Sequence, residues 1–316
     1  MNIRWAGLTA PFRWLVAAID IGRHQPGLVL AAIATIVALE ALPGLFANLL
    51  GGGSSTTVMV AQFAGLLLGL LVAPVLKAGL YDLLERSEQG RDGTYDELFA
   101  GFRNGRYGAL VAVTLLTVGV FLLTGLAMAL AAALTGALAD LPAVAAWFEQ
   151  VQALQAKAGA GTPVPPDQMP MPPQGLVGIG LVMLAFSPVL VVLTIASHWA
   201  LIAVALRGLG PVAGLATGLR AAFVNAPSIL LVLLVLLLPL LLIAGMAALL
   251  LGGIIALANL AGPAVGNLVS TLLVMGIAIV LSGVAYGFLW QGWQDSCGGR
   301  DEPTGPSTAP PGHFEA

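Results

Sequence analysis

The stretch 228–252 has the sequence SILLVLLVLLLPLLLIAGMAALLLG and contains no charged residue. It belongs to a longer run, 221–294, that lacks Asp, Glu, Lys and Arg altogether. A helix of about 20 apolar residues crosses the ~30 Å hydrocarbon core of a bilayer. The run is long enough for two such helices, with a turn at Gly262 and Pro263. This stretch therefore predicts an integral membrane protein built from helices.

Composition extends that prediction to the whole chain. Of its 316 residues, 59% are hydrophobic and 9% are charged, whereas a soluble domain carries about 25% charged residues. The mean hydropathy is +0.97. We predict an all-α, polytopic fold with a single membrane domain over 1–294. Its six predicted transmembrane helices are 27–49, 57–83, 108–136, 176–206, 228–252 and 267–290.

The positive residues predict the orientation of these helices. If successive loops lie on alternate sides of the membrane, 11 of the 12 Lys and Arg residues fall on one side. Only Lys157 falls on the other. Positively charged residues stay in the cytoplasm, so we predict a multi-pass protein of the bacterial inner (plasma) membrane with both termini inside. Charges such as Arg4 and Arg13 interrupt residues 1–24, which therefore do not resemble a cleavable signal peptide.

Three cytoplasmic segments, 8–24, 94–106 and 211–225, each precede a pair of predicted spans. Their apolar residues recur with helical spacing, which predicts amphipathic helices. Together with the paired spans they suggest a threefold degenerate repeat; three unrelated helical hairpins are the alternative. Thr94 and Glu97 predict a capping box. The apolar positions are Phe12, Leu15, Val16, Ile19, then Tyr95, Leu98, Phe99, Phe102, then Val212, Leu215, Leu219, Phe223.

Arginines flank these amphipathic segments. Near a membrane surface each basic residue attracts anionic lipid by about 1 kcal/mol. They are therefore candidate contacts to lipid headgroups, although the helices can equally serve only to brace the bundle. The candidates are Arg13, Arg23, Arg103, Arg106 and Arg220.

The remaining segments are an outer loop, 137–175, and a tail, 295–316. Within the loop, Val144, Trp147, Phe148 and Val151 have helical spacing and predict a short helix on the outer leaflet. Six prolines follow between 163 and 173, which favours an extended polyproline conformation. We expect the Gly/Pro/Ser-rich tail to be disordered and its single cysteine to be an ordinary free thiol.

Few ionisable or polar aromatic residues fall inside the predicted spans, and these are candidate functional groups. The candidates are Glu40, Lys77, His198 and Tyr286. Two positions are open for Glu40. If it lies deep in the membrane, its carboxyl group is protonated or paired with a cation; if Pro43 ends the helix early, the carboxyl group reaches water at the outer interface. A depth difference of ~10–15 Å argues against Lys77 as its partner. If the repeat holds, Lys77, His198 and Tyr286 converge on one cavity at the cytoplasmic side.

Other motifs indicate packing, and the missing motifs exclude several functions. Gly65 with Gly69, and Gly283 with Gly287, form GxxxG pairs that favour close helix contacts. Pro74, Pro188 and Pro239 predict kinks. No P-loop, metal-ligand cluster or nucleophile motif is present in the sequence, so we expect no catalytic residues, metal or cofactor. A net charge of −3 disfavours binding to nucleic acid.

The segments APVLKAGLYDLLERSEQG (73–90) and YDELFAGFRNGR (95–106) carry a family resemblance. Residues 26–106 resemble a family of uncharacterised proteobacterial inner-membrane proteins, which is similar to the membrane domain of glycerophosphodiester phosphodiesterases. The resemblance implies six helices with interspersed cytoplasmic amphipathic segments. It implies no activity, because the soluble phosphodiesterase domain and its catalytic residues have no counterpart here.

Three functions follow as hypotheses. The leading one is a non-enzymatic membrane protein that binds lipids or another membrane protein, or acts as an accessory to assembly or transport. A small-molecule transporter or channel is the alternative, favoured by the repeat and the proline-broken helices. The least favoured is an intramembrane lipid-modifying enzyme that uses His198 and Tyr286.

Overall fold

A computed structural model describes residues 3–49, 55–159 and 169–298. These residues form helices joined by short turns, and they include no strand. The α-helices are α1 (Ala10–Ile19), α2 (Pro26–Leu49), α3 (Ser55–Leu67), α4 (Ala73–Glu88), α5 (Ala100–Arg103), α6 (Tyr107–Leu134), α7 (Leu141–Gly159), α8 (Gln174–Arg207), α9 (Pro211–Leu260) and α10 (Pro263–Ser296).

Seven helical segments of the described chain are long and apolar enough to cross a membrane. Five correspond to predicted spans, and the other two, Pro211–Pro239 and Leu241–Leu260, are parts of α9. The fold is thus all-helical and consistent with a multi-pass membrane protein. The number of crossings, the threefold repeat, the inner membrane and the sides of the termini stay predictions.

Two details of these long helices differ from the prediction. Pro43 lies inside α2, which continues to Leu49 as in the predicted span 27–49, so the alternative in which this proline ends the helix near Glu40 is wrong. Pro227 likewise lies inside α9, which joins the predicted segments 211–225 and 228–252 into one helix. A proline removes one backbone donor and favours a kink, yet both helices continue through it.

A π-helical turn, Leu68–Val72, joins α3 to α4 just before Pro74. Because proline has no backbone N–H and its ring crowds the preceding turn, the regular hydrogen-bond ladder is disturbed there. The helix nevertheless continues to Glu88, five residues beyond the predicted end at 83. This extension matters for the position of Lys77, described below.

The chain divides into two compact units, and the first comprises residues up to Leu116 together with those from Ile195 onwards. Its core contains five fully buried large aromatic residues: Trp14, Tyr81, Trp199, Trp290 and Trp293. Around it α1 packs on α10, and α4 packs on α2 and on the 3₁₀ helix Tyr95–Phe99. This unit contains all the candidate site residues.

The second unit spans Thr117–Thr194 and contains α7. The short helix predicted in the outer loop is therefore present. Its Trp147 donates an indole hydrogen bond to the carbonyl of Pro170 at 2.9 Å, and Val144 is buried while Phe148 is half-exposed. The prolines at 163, 165 and 166 lie outside the described residues.

The predicted amphipathic segments are helical, and they bury Trp14 and Leu98 together with small residues, but several of their other bulky apolar residues are exposed. In α1 the buried residues are Ala10, Pro11, Trp14 and Ala18, while Val16 and Ile19 are 70% and 75% exposed. The second segment starts with the expected capping box at Thr94 and Glu97. It is a 3₁₀ helix followed by the short α5, rather than one α-helix over 94–106.

Glycine and alanine allow these segments to approach neighbouring helices closely. A side chain added at Gly218, near the start of α9, would collide with the backbone of Ala196 and Ala200 in α8. One added at Gly287 in α10 would meet Ala18 of α1. Small residues permit such contacts where lipid provides no hydrophobic drive for association. The GxxxG pair that contains Gly287 thus packs helix against helix.

The end of α10 closes the first unit. Asn225 is fully buried; its side chain accepts a hydrogen bond from the backbone N–H of Ala6 and donates to Ser296 Oγ and to the carbonyl of Arg4. Asp295 accepts a bond from the Trp14 indole at 2.8 Å. The prediction that disorder begins at 295 is therefore wrong for residues 295–298, and 299–316 lie outside the described residues.

Candidate functional site

Glu40 and Lys77 form an ion pair, with Lys77 Nζ 2.8 Å from Glu40 Oε1. The predicted depth difference between them was wrong because α4 is longer than expected. Lys77 lies eleven residues, or ~16 Å, from the end of α4 at Glu88, and Glu40 lies ~21 Å from the start of α2 at Pro26. Both distances start from the helix ends on the predicted cytoplasmic side, so the two residues differ in depth by only ~5 Å. A lysine side chain can span that difference.

Tyr81 connects this region to a histidine on another helix. It lies one helical turn after Lys77, and its hydroxyl shares a hydrogen bond of 2.9 Å with His198 Nδ1. Tyr81 is fully buried, so the bond satisfies a polar group that would be costly to bury alone. Sequence analysis missed Tyr81; the i, i+4 spacing from Lys77 was the available signal.

Tyr286 completes the cluster from α10. Its ring centroid lies 5.9 Å from that of His198 and 6.1 Å from that of Tyr81, both in edge-to-face geometry. Trp290, one turn further along α10, stacks on Tyr81 at 6.3 Å. These edge-to-face and stacked contacts form an aromatic cluster around Tyr81.

The structure therefore brings all four predicted intramembrane residues together. Lys77 pairs with Glu40, and the rings of His198 and Tyr286 both contact the ring of Tyr81. The side chain of Lys77 is 23% exposed and that of Glu40 is 45% exposed. We name Glu40, Lys77, Tyr81, His198 and Tyr286 the polar cluster. It links a single ion pair to a hydrogen-bonded Tyr–His pair in the midst of apolar helices.

The predicted headgroup arginines occupy two kinds of environment. Arg13 and Arg23 are highly exposed, and each makes a long ion pair, at 3.7 Å to Asp295 and 3.9 Å to Asp20. Arg103 donates to the carbonyl of Asp96 at 2.7 Å, and Arg220 is exposed on α9. Arg106 differs, because its guanidinium reaches a helix distant in the sequence and donates to the carbonyl of Ala205 near the end of α8.

The exposed arginines lie beside exposed apolar side chains. Val16 and Ile19 share α1 with Arg13, Phe99 and Phe102 adjoin Arg103, and Val212 and Phe223 share α9 with Arg220. We name these apolar residues, together with Tyr95, the outer apolar faces. All are exposed. Sequence periodicity identified their positions, but not that they face away from the protein.

Cys297 follows α10 directly. It is buried, and burial raises the pKa of its thiol to about 12. A thiol with a raised pKa carries little of the reactive thiolate at neutral pH. The free thiol expected from the sequence is thus an inert structural group.

No protein-family model, curated protein or solved structure matches this chain. Among the described residues, no group of three or more His, Cys, Asp or Glu side chains could hold a metal ion. The proteobacterial family resemblance stays a prediction, and assignment of function depends on the side chains themselves.

Proposed function

We propose that the protein is a non-enzymatic, multi-pass membrane protein that binds membrane lipids through the outer apolar faces and their arginines. The observation that supports the proposal most is that all three amphipathic segments leave bulky apolar side chains exposed. Small residues such as Ala18 and Gly218 pack inward, while Ile19 and Phe223 are left exposed.

That arrangement suits the boundary between acyl chains and headgroups. A helix lying in this boundary buries apolar side chains among the lipids and presents cations to anionic headgroups. Val16 and Ile19 supply the apolar part in α1, and Arg13 and Arg23 supply the charge. A brace that contacts only protein would bury those bulky residues against the bundle.

The proposal is tested by lipid selectivity in reconstituted bilayers. Trace spin-labelled lipids report how strongly the protein immobilises anionic lipid relative to zwitterionic lipid. Arg220→Gln is expected to weaken the anionic preference about fivefold, since one basic residue contributes about 1 kcal/mol near the surface. Arg91→Gln is the matched control, because Arg91 lies in the loop after α4 and contacts Gln89. Equal effects of the two substitutions would refute the proposal.

The polar cluster favours a second candidate, a small-molecule transporter or channel. Ionisable residues within spans mark transport pathways in many membrane proteins. Flux into liposomes that falls in Glu40→Gln, Lys77→Ala and His198→Ala would support this function. If none of the three substitutions changes the flux, the polar cluster does not form part of a transport pathway.

A further inference from the structure

A polar cavity of 420 Å³ lies in the first unit, where α4, α5, α6 and α8 meet at the end that carries the arginines. Its volume falls within the range of ~300–1,000 Å³ typical of small-molecule sites. A second cavity beside α1, of 270 Å³, falls below that range. The polar residues lining the larger cavity are Asp82, Glu85, Arg86, Asn104 and Arg106.

The charges around this cavity balance. Two carboxylates, of Asp82 and Glu85, face two guanidinium groups, of Arg86 and Arg106. A lining of one sign would favour a simple anion or cation. A balanced lining instead matches a ligand that carries both charges.

The existing ion pairs show which of these groups are available to a ligand. Arg86 is occupied, because it contacts Asp82 at 3.1 Å and Glu97 at 2.6 Å. Glu85 reaches Arg207 only at 4.0 Å, beyond hydrogen-bond distance. Its carboxylate therefore retains acceptor capacity toward the cavity.

Arg106 is the available cation. It donates to the carbonyl of Ala205, and none of the ion pairs among the described residues involves it. A guanidinium has five N–H donors in a planar fork that matches phosphate oxygens. Its remaining donors can bind an anion without breaking an existing ion pair.

The cavity also has an apolar wall. Leu110 of α6 and Ala205 and Leu206 of α8 line it, and both helices are long and apolar enough to cross a membrane. A headgroup bound between Arg106 and Glu85 would therefore lie at the level where spanning helices end.

We propose that this cavity binds a primary ammonium joined to a phosphate, the chemistry of phosphoethanolamine, with the phosphate on Arg106 and the ammonium on Glu85. The inference rests on the proposed lipid-binding function when the source is a phosphatidylethanolamine headgroup. Free phosphoethanolamine carries the same two groups and is the other source. A primary ammonium donates hydrogen bonds to a carboxylate, whereas the quaternary ammonium of choline has no N–H.

The test is native mass spectrometry of the full chain with phosphatidylethanolamine, phosphatidylcholine and phosphatidylglycerol of identical acyl chains. Phosphatidylethanolamine is expected to bind at least roughly tenfold more tightly than phosphatidylcholine, the scale of a hydrogen bond to a charged group. Arg106→Gln should weaken the binding of phosphatidylethanolamine by at least the same factor. Glu85→Gln should abolish the preference over phosphatidylcholine, and Glu85→Asp, which keeps the charge, should retain part of it.

Free phosphoethanolamine, added alone to detergent-solubilised protein, identifies the source. If the free compound binds and Arg106→Gln abolishes this binding, the cavity is a site for a soluble ligand. If only the lipid binds, the cavity is a site for a lipid headgroup. Equal affinity for ethanolamine and choline lipids, with no binding of the free compound, would overturn the inference. Arg220→Gln, which lies outside the cavity, separates the two proposals because it should change only the anionic preference. Thermal melting confirms that each variant is folded.

Discussion

Lys77 Nζ lies 2.8 Å from Glu40 Oε1, and this contact joins the middle of α2 to α4. Neither side chain is fully buried, but both lie within helices apolar enough to span a membrane. The pair thus gives Glu40, the one charged residue in the sequence of α2, a cationic partner. It also places Lys77 beside the Tyr81–His198 hydrogen bond.

Breaking the Lys77–Glu40 pair from one side should destabilise the protein. Glu40→Gln leaves an unpaired ammonium, at a cost between the ~0.2–1 kcal/mol of an exposed pair and the ~3–5 kcal/mol of a buried one. The double variant Glu40→Gln/Lys77→Met should recover much of the loss, because no lone charge remains. Thermal unfolding in detergent measures both. Asp20→Asn, which breaks the highly exposed pair to Arg23, should leave the melting temperature nearly unchanged.

The Tyr81–His198 hydrogen bond should contribute measurably to stability. Tyr81→Phe keeps the ring packing but leaves His198 Nδ1 without its hydrogen-bond partner. The free energy of unfolding should fall by roughly 1–3 kcal/mol. Tyr286→Phe retains the ring contacts with Tyr81 and His198 and should cost less. Chemical unfolding in mixed micelles compares the two variants. A larger effect of Tyr286→Phe would show that the hydrogen bond is not the main contribution of this cluster.

The close approach of α9 to α8 should depend on Gly218. Gly218→Val would place a side chain against the backbone of Ala196 and Ala200, and overpacking of this kind costs at least ~1–3 kcal/mol. Gly245→Val, in the same helix, is the matched control because nothing lies within 4 Å of a Cβ there. Yield of folded protein and melting temperature are the measurements. If the two variants behave alike, α9 does not pack on α8 in this way.

Cys297 should resist alkylation in the folded protein. Its raised pKa of about 12 keeps the thiol protonated below that pH, and burial also hinders access of a reagent. In the unfolded chain the pKa returns to about 8.5, so labelling at pH 8 should accelerate sharply in denaturant. Rapid labelling under native conditions would mean that the end of α10 is open. Asn225→Ala, which removes bonds to Arg4, Ala6 and Ser296, should raise the native labelling rate.

Much of the fold was predictable because apolar length and turn chemistry determine helices locally. The helix limits at 26–49, 107–134 and 174–207 lie within two residues of their predictions. The capping box at Thr94 and Glu97 forms as expected from its spacing.

The faces of the helices were harder to predict. Helical periodicity shows that Val16 and Ile19 share a side, but it does not say whether that side meets protein or lipid. In α1 the bulky Trp14 turns inward while Val16 and Ile19 stay exposed, and the small residues Ala18 and Gly287 let α1 approach α10. For the polar cluster, the sequence indicated candidate residues but not the contacts between them. The geometry of the cluster depends on how far α4 extends beyond Lys77, a tertiary property.

Native mass spectrometry of the protein extracted with its own lipids tests the central claim, lipid binding through the outer apolar faces, most directly. The account predicts that anionic lipids remain bound to the wild-type chain. It predicts that they are largely lost from a variant with Arg13, Arg23, Arg103 and Arg220 replaced by glutamine. A wild-type chain that retains no lipid class selectively, or a variant that retains the same anionic lipids, would contradict the account.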